Sequence, residues 1–490
     1  MKKKRNAKKV LLACLLFGML ITTNVFAQVG IGTVTPDASS ILDITSTTQG
    51  LLTPRMTTAQ RAAIVSPADG LIVYDTELKS FYHYNSTATS WNRMSSDANG
   101  RLKFKRIKST DVLATVLATE KAAGGGSKYL LDTETLYEIN GVVAVDFPIE
   151  LNNAYLAGLD SGEDKLVKAS GDLFTGTTGG SVRVLTLTAS AGNVFNITGG
   201  GNQNLVFRDA IVASSSNVGI IDGFSLVFIS IVQFAGNTTG IVYKDISKLL
   251  ISNVGWFGNN SGTYETFQGT FGLVEKTGGF SEVVGANIGL DVFANPTISG
   301  DAVVRDVVFI GTLTTGKYVK GYNPSIYTGY NFNNRWAVNC SGIPVEGDVV
   351  ATGDVNFDYG VGSGATTVAS TTPVKLVGNT TSTNLFRFST GATNNKLVYL
   401  GTKKRYFRTA ATFSFQSSVS GAGVFVFYLA KNGAVINQSK VYCGVTSSDV
   451  DAATILSTVD MSTNDYLEVW VSRYSGTGDV KTVSLNLVVN

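Results

Sequence analysis

Paired acids are the residues of this sequence with the clearest potential for chemistry. Asp301 and Asp306 enclose a short strand-like run, and Arg305 precedes the second acid. Asp348 with Asp354 is a second candidate pair. Two carboxyls at a fixed separation can act as acid and base in glycoside hydrolysis, and an arginine can act as the base of a lyase. The sequence shows no dense acidic cluster around them. Turn capping or solvation is therefore the favoured interpretation, and catalysis by these residues is the alternative.

A second group of oxygen-bearing side chains lies in the run DVNFDYG. Strand alternation would place Asp354, Asn356 and Asp358 on one face, which suits a calcium ion. Tyr359 at the sixth position and Ala365 at the twelfth exclude an EF-hand loop. A calcium site of another kind remains the alternative, and we expect no resident metal or cofactor.

Aromatic residues gather in the middle and later part of the chain, where they could stack on the flat faces of sugars. Core packing is an equally good explanation of the same rings. The candidates for carbohydrate binding are Trp256, Tyr264, Tyr322, Tyr327, Tyr330 and Trp336.

Histidine and cysteine chemistry are nearly excluded by composition. The chain has one histidine, His83, so a zinc site or a Ser-His-acid triad lacks its residues. Cys340 and Cys443 fall in different predicted domains, and two free thiols are expected.

The first 27 residues read as a secretory signal. A basic start is followed by an apolar run too short to span a bilayer, and small residues precede a cleavage position near Ala27. A lipobox at Cys14 and an uncleaved anchor are the alternatives. Removal of residues 1–27 changes the formal net charge from +3 to −3. This argues against a nucleic-acid partner, and the mature chain has no apolar run long enough to cross a membrane.

The elements that would position these side chains are short β-runs repeated along residues 129–364. Three runs align without gaps, with Phe207, Phe228 and Ile251 recurring at intervals of 21 and 23 residues. Such a period, without helices between the runs, predicts a right-handed parallel β-helix with these three residues in one internal ladder. About ten coils at ~4.8 Å would give a rod of about 50 Å.

The flanking segments differ from this pattern. Residues 28–100 predict a small β module with a hairpin, and 101–128 a basic edge strand, one short helix capped by Ser109 or Thr110, and a Gly-rich linker. Residues 365–490 predict closely spaced strands of an antiparallel sandwich, with a hairpin turn at Asn432-Gly433. The fold class is therefore all-β.

Three segments resemble known families. The stretch VGIGTVTPDASSILDITSTTQGLLTPRM, followed by GLIVYDTELKSFYHYN, resembles the N-terminal module of bacterial secreted surface proteins and phage tail-fibre-like proteins. The repeats resemble pectin-lyase-like β-helices. The C-terminal strands resemble the C1q/TNF-like jelly roll, whose heads trimerise. The resemblance implies a homotrimer, with head contacts through such residues as Phe425, Phe427, Leu467 and Trp470.

The leading hypothesis is a secreted trimeric surface fibre or adhesin that binds a polysaccharide or cell-surface partner through its β-helix and head. The alternative is a β-helix enzyme that degrades polysaccharides, with a C-terminal binding head. A groove on the β-helix lined by close acids would favour the enzyme, and its absence would favour the fibre.

Overall fold

A computed structural model describes residues 7–14, 28–94, 103–446 and 449–490. The chain divides into two compact units, one up to Asn99 and one from Gly100. Residues 7–14 form a helix, α1, and the predicted cleavage position near Ala27 lies outside the described residues. Across the described ranges, none of the helices has the length and hydropathy needed to cross a bilayer.

The first unit holds a parallel strand pair and a four-stranded sheet around one short helix. Its elements are β1 (Val29–Ile31), β2 (Leu42–Ile44), β3 (Arg55–Met56), α2 (Thr58–Ala62), β4 (Ile72–Asp75), β5 (Ser80–Asn85) and β6 (Ser90–Arg93). Strands β4 and β5 pair antiparallel, which confirms the predicted hairpin. Thr57 caps α2 in a reciprocal capping box with Gln60, and Arg61 of α2 contacts Asp75 of β4 at 3.1 Å.

The start of this unit leaves its apolar side chains uncovered. Val29 and Ile31 are 52% and 53% exposed, and Ile41 and Val34 are 82% and 99% exposed. Apolar surface of this kind is stabilising only when it leaves water, at about 25 cal/mol per Å². The single chain does not supply that burial for the four residues.

A parallel β-helix of about 8 turns opens the second unit, fewer than the ten expected because the later coils are longer. Its larger sheet contains β7 (Lys103–Lys108), β9 (Thr135–Asn140), β10 (Val142–Ala144), β12 (Tyr155–Ala157), β13 (Lys165–Lys168), β15 (Gly180–Arg183), β16 (Thr186–Ala189), β18 (Asn204–Ala213), β20 (Leu226–Ala235), β22 (Lys248–Trp256), β25 (Leu273–Glu282), β28 (Ala302–Ile310) and β30 (Trp336–Ser341). Its smaller sheet contains β8 (Tyr129–Leu130), β11 (Ile149–Glu150), β14 (Phe174–Gly176), β17 (Asn193–Thr198), β19 (Asn217–Asp222), β21 (Thr239–Lys244), β23 (Thr263–Gln268), β26 (Ile288–Asp291) and β29 (Lys317–Lys320). A separate pair is formed by β24 (Thr270–Phe271) and β27 (Thr297–Ile298).

The long strands of the larger sheet bend at one corner that recurs from coil to coil. The corner residue has a left-handed backbone, with φ between 51° and 66° at the positions of Ile231, Asn253, Gly278 and Asp306 and 52° at Asp209. The strand registers place these five positions in successive coils. The corner is a property of the scaffold, since residues of unlike chemistry share its conformation.

The internal ladder differs by one residue from the predicted one. Phe207 stands in register with Ile229, and Ile229 with Ile251, and all three are buried. Phe228 pairs instead with Val206 on the preceding strand and is half-buried. The intervals are therefore 22 residues each, and the prediction for Phe228 was wrong because a shift of one residue turns a strand side chain to the opposite face.

An internal row of polar side chains follows a second corner of the coils. Asn237 Oδ1 accepts from the Ser215 amide at 3.1 Å, and Asn260 Oδ1 accepts from the Asn237 amide at 3.0 Å. Asn260 Nδ2 donates to the Phe234 carbonyl at 2.7 Å. These amides satisfy backbone groups that a turn would otherwise leave buried without partners.

Two short helices, α3 (Leu113–Val116) and α4 (Ala118–Ala123), lie beside the first coils. The predicted caps Ser109 and Thr110 were wrong, because Val112 occupies the N-cap of α3. The preceding residues form a turn in which the Asp111 amide donates to the Lys108 carbonyl. Strand β7, predicted as a basic edge strand, is the edge strand of the larger sheet.

The chain ends in an antiparallel sandwich with a core of its own. One sheet contains β31 (Gly353–Asp358), β32 (Ala365–Thr367), β36 (Arg405–Ser417), β40 (Asp451–Met461) and β42 (Val480–Val489). The other contains β33 (Val374–Lys375), β34 (Phe388–Ser389), β35 (Leu397–Tyr399), β37 (Gly423–Lys431), β38 (Ala434–Val435), β39 (Val441–Val445) and β41 (Tyr466–Ser475). Two 3-10 turns span Asp348–Val350 and Asn437–Ser439.

The sandwich confirms the predicted hairpin and alters the expected head contacts. Strands β37 and β38 pair across Asn432-Gly433, and both turn residues have positive φ. Phe425, Phe427 and Leu467 are fully buried in the sandwich core, so they point inward rather than toward a partner. Trp470 is half-buried, and its indole donates to Glu468 at 2.8 Å.

Candidate functional site

A groove of about 400 Å³ lies where the last coils of the β-helix meet the sandwich. Its wall carries the three residues that the sequence singled out for chemistry, Asp301, Arg305 and Asp306, and all three are exposed. Other lining residues include Trp336, Val345, Asp348, Val349, Val350, Arg387 and Lys403. The groove therefore combines exposed charges with apolar side chains, of which Val349 is 81% exposed.

The charged wall belongs to the scaffold of the β-helix. Arg305 and Asp306 lie on β28 at the recurring corner, and Asp306 has the left-handed backbone of that corner. The same Arg-Asp pair occurs four coils earlier as Arg208 and Asp209. The positive φ of Asp306 is thus explained by the corner and is no sign of local strain for catalysis.

Asp348 and Arg387 form the base of the groove and join the two folds of this unit. Their side chains contact at 3.0 Å and are 8% and 2% exposed. The other carboxyl oxygen of Asp348 accepts from the amides of Thr402 and Lys403, both at 2.8 Å. A guanidinium presents five donors in a rigid fork, which suits a position enclosed by acceptors.

The remaining donors of Arg387 reach back to the β-helix. They go to the carbonyls of Asn333, Asn334 and Trp336 around the start of β30. Burial lowers the pKa of Arg387, and the Asp348 carboxylate opposes that shift. Arg387 therefore ties the sandwich to the last coil.

An Arg387→Ala variant is expected to lose about 3 kcal/mol of unfolding free energy, because it leaves Asp348 and three carbonyls without their buried partner. Denaturant unfolding followed by tryptophan fluorescence would measure the loss, since Trp336 lies beside the contact. Arg408→Ala is the control, since Arg408 is exposed on β36 of the same sandwich. Equal stability of both variants would contradict the proposed role of Arg387.

A further acid of the groove, Glu346, is held by hydrogen bonds from backbone amides. It is 1% exposed, and its two oxygens accept from the amides of Asn331 at 2.7 Å and Phe332 at 2.9 Å. Burial raises the pKa of Glu346. With Asp348 and Glu346 engaged in this way, Asp301 and Asp306 are the exposed carboxyls that can meet a ligand.

Most of the predicted carbohydrate-binding rings lie inside the protein. Trp256 is fully buried between Phe234, whose ring centre is 4.0 Å away, and Tyr264 at 5.1 Å. Tyr322 is 9% exposed and accepts from the indole of Trp336, which is 1% exposed. These four rings fill the core of the late coils, where an external sugar does not reach them.

The two remaining candidates lie between the last coil and the sandwich. Tyr327 is 5% exposed, and Tyr330 is half-buried. Both pack on Phe386, with ring centres 5.1 Å and 3.9 Å away, respectively. They line a second depression of about 740 Å³. Tyr330 is therefore the predicted ring with partial exposure at a concave surface.

The candidate calcium ligands diverge in their surroundings. Asp354 is 8% exposed, and its oxygens accept from Ser382, Thr383, Asn384 and Asn356. Asp358 is exposed and caps the amide of Gly360. Over the described ranges, no group of three or more His, Cys, Asp or Glu residues could hold a metal ion. Asp354 thus anchors the loop after β33 to the sandwich.

Sequence reasoning paired Asp348 with Asp354, whereas the structure pairs Asp348 with Arg387, and neither Glu346 nor Arg387 was found from the sequence. Each acts through contacts with residues far along the chain, and the single sequence carries no signal for such contacts. Both Cys340 and Cys443 are free thiols, as expected.

Comparison with known proteins gives a match that covers most of the first unit and the start of the second. Residues 30–110 match the family model of a phage tail like trimerisation region, which supports a homotrimer. No curated protein matches the chain.

Two solved structures align over most of the chain. ORF18 of Geobacillus virus E2 is 10% identical over 83% of this chain and 89% of its own, with a TM-score of 0.23. The enzymatically active domain of tailspike protein 4 from bacteriophage CBA120 is 9% identical over 90% of this chain and 77% of its own, with a TM-score of 0.19. Alignments at these scores carry no argument about activity.

Proposed function

We propose that the chain is one subunit of a trimeric tail-fibre-like or tailspike-like attachment protein, secreted after cleavage near Ala27, that binds a surface polysaccharide. The trimerisation match and the uncovered apolar residues around Val34 support the assembly. The β-helix supplies a rigid, extended scaffold, as stacked repeats do. The resemblance of the C-terminal sandwich to C1q-like heads supports a second contact surface.

The groove at the end of the β-helix is the observation that carries this proposal. Its exposed Asp301, Arg305 and Asp306 offer acceptors and a donor fork to hydroxyl groups, and its valines offer apolar surface to sugar rings. Arg305 also contacts Glu275 at 3.3 Å in an exposed pair, which a ligand can displace at little cost. Such a surface suits binding of an uncharged or mixed-charge glycan.

Attachment is favoured over cleavage because the buried acids of the groove already bind groups of the protein itself. Glu346 and Asp348 are held by backbone amides and by Arg387, so neither is placed to exchange protons with a substrate. We expect purified protein to release no reducing or unsaturated ends from polysaccharides that it binds. Release that is abolished by Asp306→Asn would replace this proposal with the enzymatic one.

The repeated Arg-Asp pair supplies a matched test of the groove. An array of polysaccharides from bacterial surfaces is first screened for glycans that bind the full chain. The affinity of each bound glycan is then measured by titration for the full chain and for two double variants. Arg305→Ala with Asp306→Asn is expected to weaken binding about tenfold, equivalent to about 1.4 kcal/mol. Arg208→Ala with Asp209→Asn changes the same corner outside the groove and should leave binding unchanged. Asparagine tolerates the left-handed backbone of both corners. Equal affinities of both variants would overturn the assignment of the groove.

A further inference from the structure

One coil of the β-helix carries two charged side chains in its core. Lys276 on β25 stands in register between Ile251 and Val304, and Glu265 on β23 is paired with Leu290 of the next coil. The neighbouring coils thus have apolar residues where this coil has a base and an acid. Both charged side chains point inward and are 1% exposed.

The two side chains meet inside the protein and have little else to contact. Lys276 Nζ lies 2.7 Å from Glu265 Oε2. Within the described ranges, no other group gives a hydrogen bond to Nζ or to either carboxyl oxygen. The hydroxyl of Tyr243 is also buried without a hydrogen-bond partner among the described residues, and burial and the Glu265 charge both raise its pKa. An ion pair in such surroundings bears a desolvation cost that further hydrogen bonds normally offset.

We propose that Lys276 and Glu265 are joined by an intramolecular amide bond. In the first step of this reaction, a proton passes across the 2.7 Å contact from the ammonium to the carboxylate and leaves an amine and an acid. The Nζ lone pair then attacks Cδ of Glu265, and the new C–N bond forms. A second proton moves from nitrogen to the departing oxygen, the C–O bond breaks, and one water leaves. No oxidant or other reactant is required.

The fold supplies the conditions that this condensation needs. Strands β23 and β25 hold the amine and the acid in contact, and effective molarities of about 10⁵–10⁸ M are reached when two reacting groups are fixed in this way. The surrounding core excludes the water that would reverse the reaction. The neutral product also removes two buried charges.

Tyr243 is a buried residue close enough to Glu265 to feel its charge. It lies on β21, one coil before Glu265, and its side chain is fully buried. Burial raises the pKa of Tyr243 well above its ordinary value, and the Glu265 carboxylate adds to that shift. The phenol therefore keeps its proton and adds no charge to this part of the core.

Mass spectrometry of the purified full chain tests the bond. The expected intact mass is lower than the sequence mass by one water. Trypsin should yield one peptide spanning residues 249–305 that lacks a water and is uncut after Lys276, because Glu265 and Lys276 lie in the same stretch between Lys248 and Arg305. An unmodified mass with normal cleavage after Lys276 overturns the proposal and leaves a buried ion pair.

Two lysine variants separate this bond from other losses of water. Lys276→Met should restore the mass calculated from its sequence, whereas Lys248→Met, at an exposed lysine of β22, should keep the deficit. A deficit that persists in Lys276→Met would place the lost water elsewhere and overturn the proposal. The wild-type measurement alone decides the question if Lys276→Met does not fold. The result is independent of the ligand proposed for the groove.

Discussion

An Ile229→Asp variant is expected to lose about 5 kcal/mol or more of unfolding free energy. Ile229 is fully buried between Phe207 and Ile251 in the internal ladder. The substitution removes a large apolar side chain, which costs about 2–5 kcal/mol, and it introduces a buried charge without a partner. Denaturant unfolding followed by circular dichroism would measure the loss, and the coils around β20 should fail to form.

The neighbouring residue provides the control. Phe228→Asp carries the same charge on the outer face of β20, where its side chain is half-buried. We expect a cost of about 1 kcal/mol there, because the carboxylate stays hydrated. Similar losses for the two variants, or a larger loss for Phe228→Asp, would contradict the register of the ladder.

Loss of the first unit is expected to change the oligomeric mass. Residues 28–490 should form a trimer, because Val29, Ile31, Val34 and Ile41 are exposed in the single chain and can share one core around a threefold axis. Deletion of residues 28–100 should weaken the trimer toward monomers without unfolding the β-helix, which has a separate core. Light scattering at micromolar concentration would give both masses.

Point variants make the same test without a deletion. Val34→Asp with Ile41→Asp should dissociate the trimer while each chain stays folded, because both side chains already lie in solvent within one chain. Val368→Asp is the control, since Val368 is 71% exposed and lies outside the matched region. A monomeric chain of residues 28–490, or a trimer unaffected by the double variant, would contradict the role of these residues.

The sequence predicted the β-helix because its signal is local and repeated. Short β-runs recur at nearly constant intervals, and each run interacts with the equivalent run of the next coil. It was harder to predict which residues of each strand face the core. Phe228 and Ile229 are adjacent and both are large and apolar. Where both faces of a strand carry apolar residues, the sequence has no alternation that shows which face is buried.

The candidate site was predictable only in part, for a related reason. Arg305 and Asp306 lie on one strand, and their spacing places them together on the wall of the groove. The base of the groove depends on Arg387 reaching Asp348 and the end of the β-helix, across 39 residues of chain. The burial of Trp256 and Tyr264 could not be predicted either, because residue type does not distinguish an aromatic ring in a core from one in a binding site.

From Phe207 onward, the coils of the β-helix grow toward the sandwich. In the internal ladder, 22 residues separate Phe207 from Ile229, 25 separate Ile251 from Lys276, 28 separate Lys276 from Val304, and 34 separate Val304 from Val338. The added residues lie in connections between strands, where longer loops cost little closure entropy. The stacked strands can thus stay constant while the connections around the groove diverge. Under the attachment function proposed above, related chains with different ligands should differ most in the lengths of these late coils, and exchange of these coils should change the ligand that is bound.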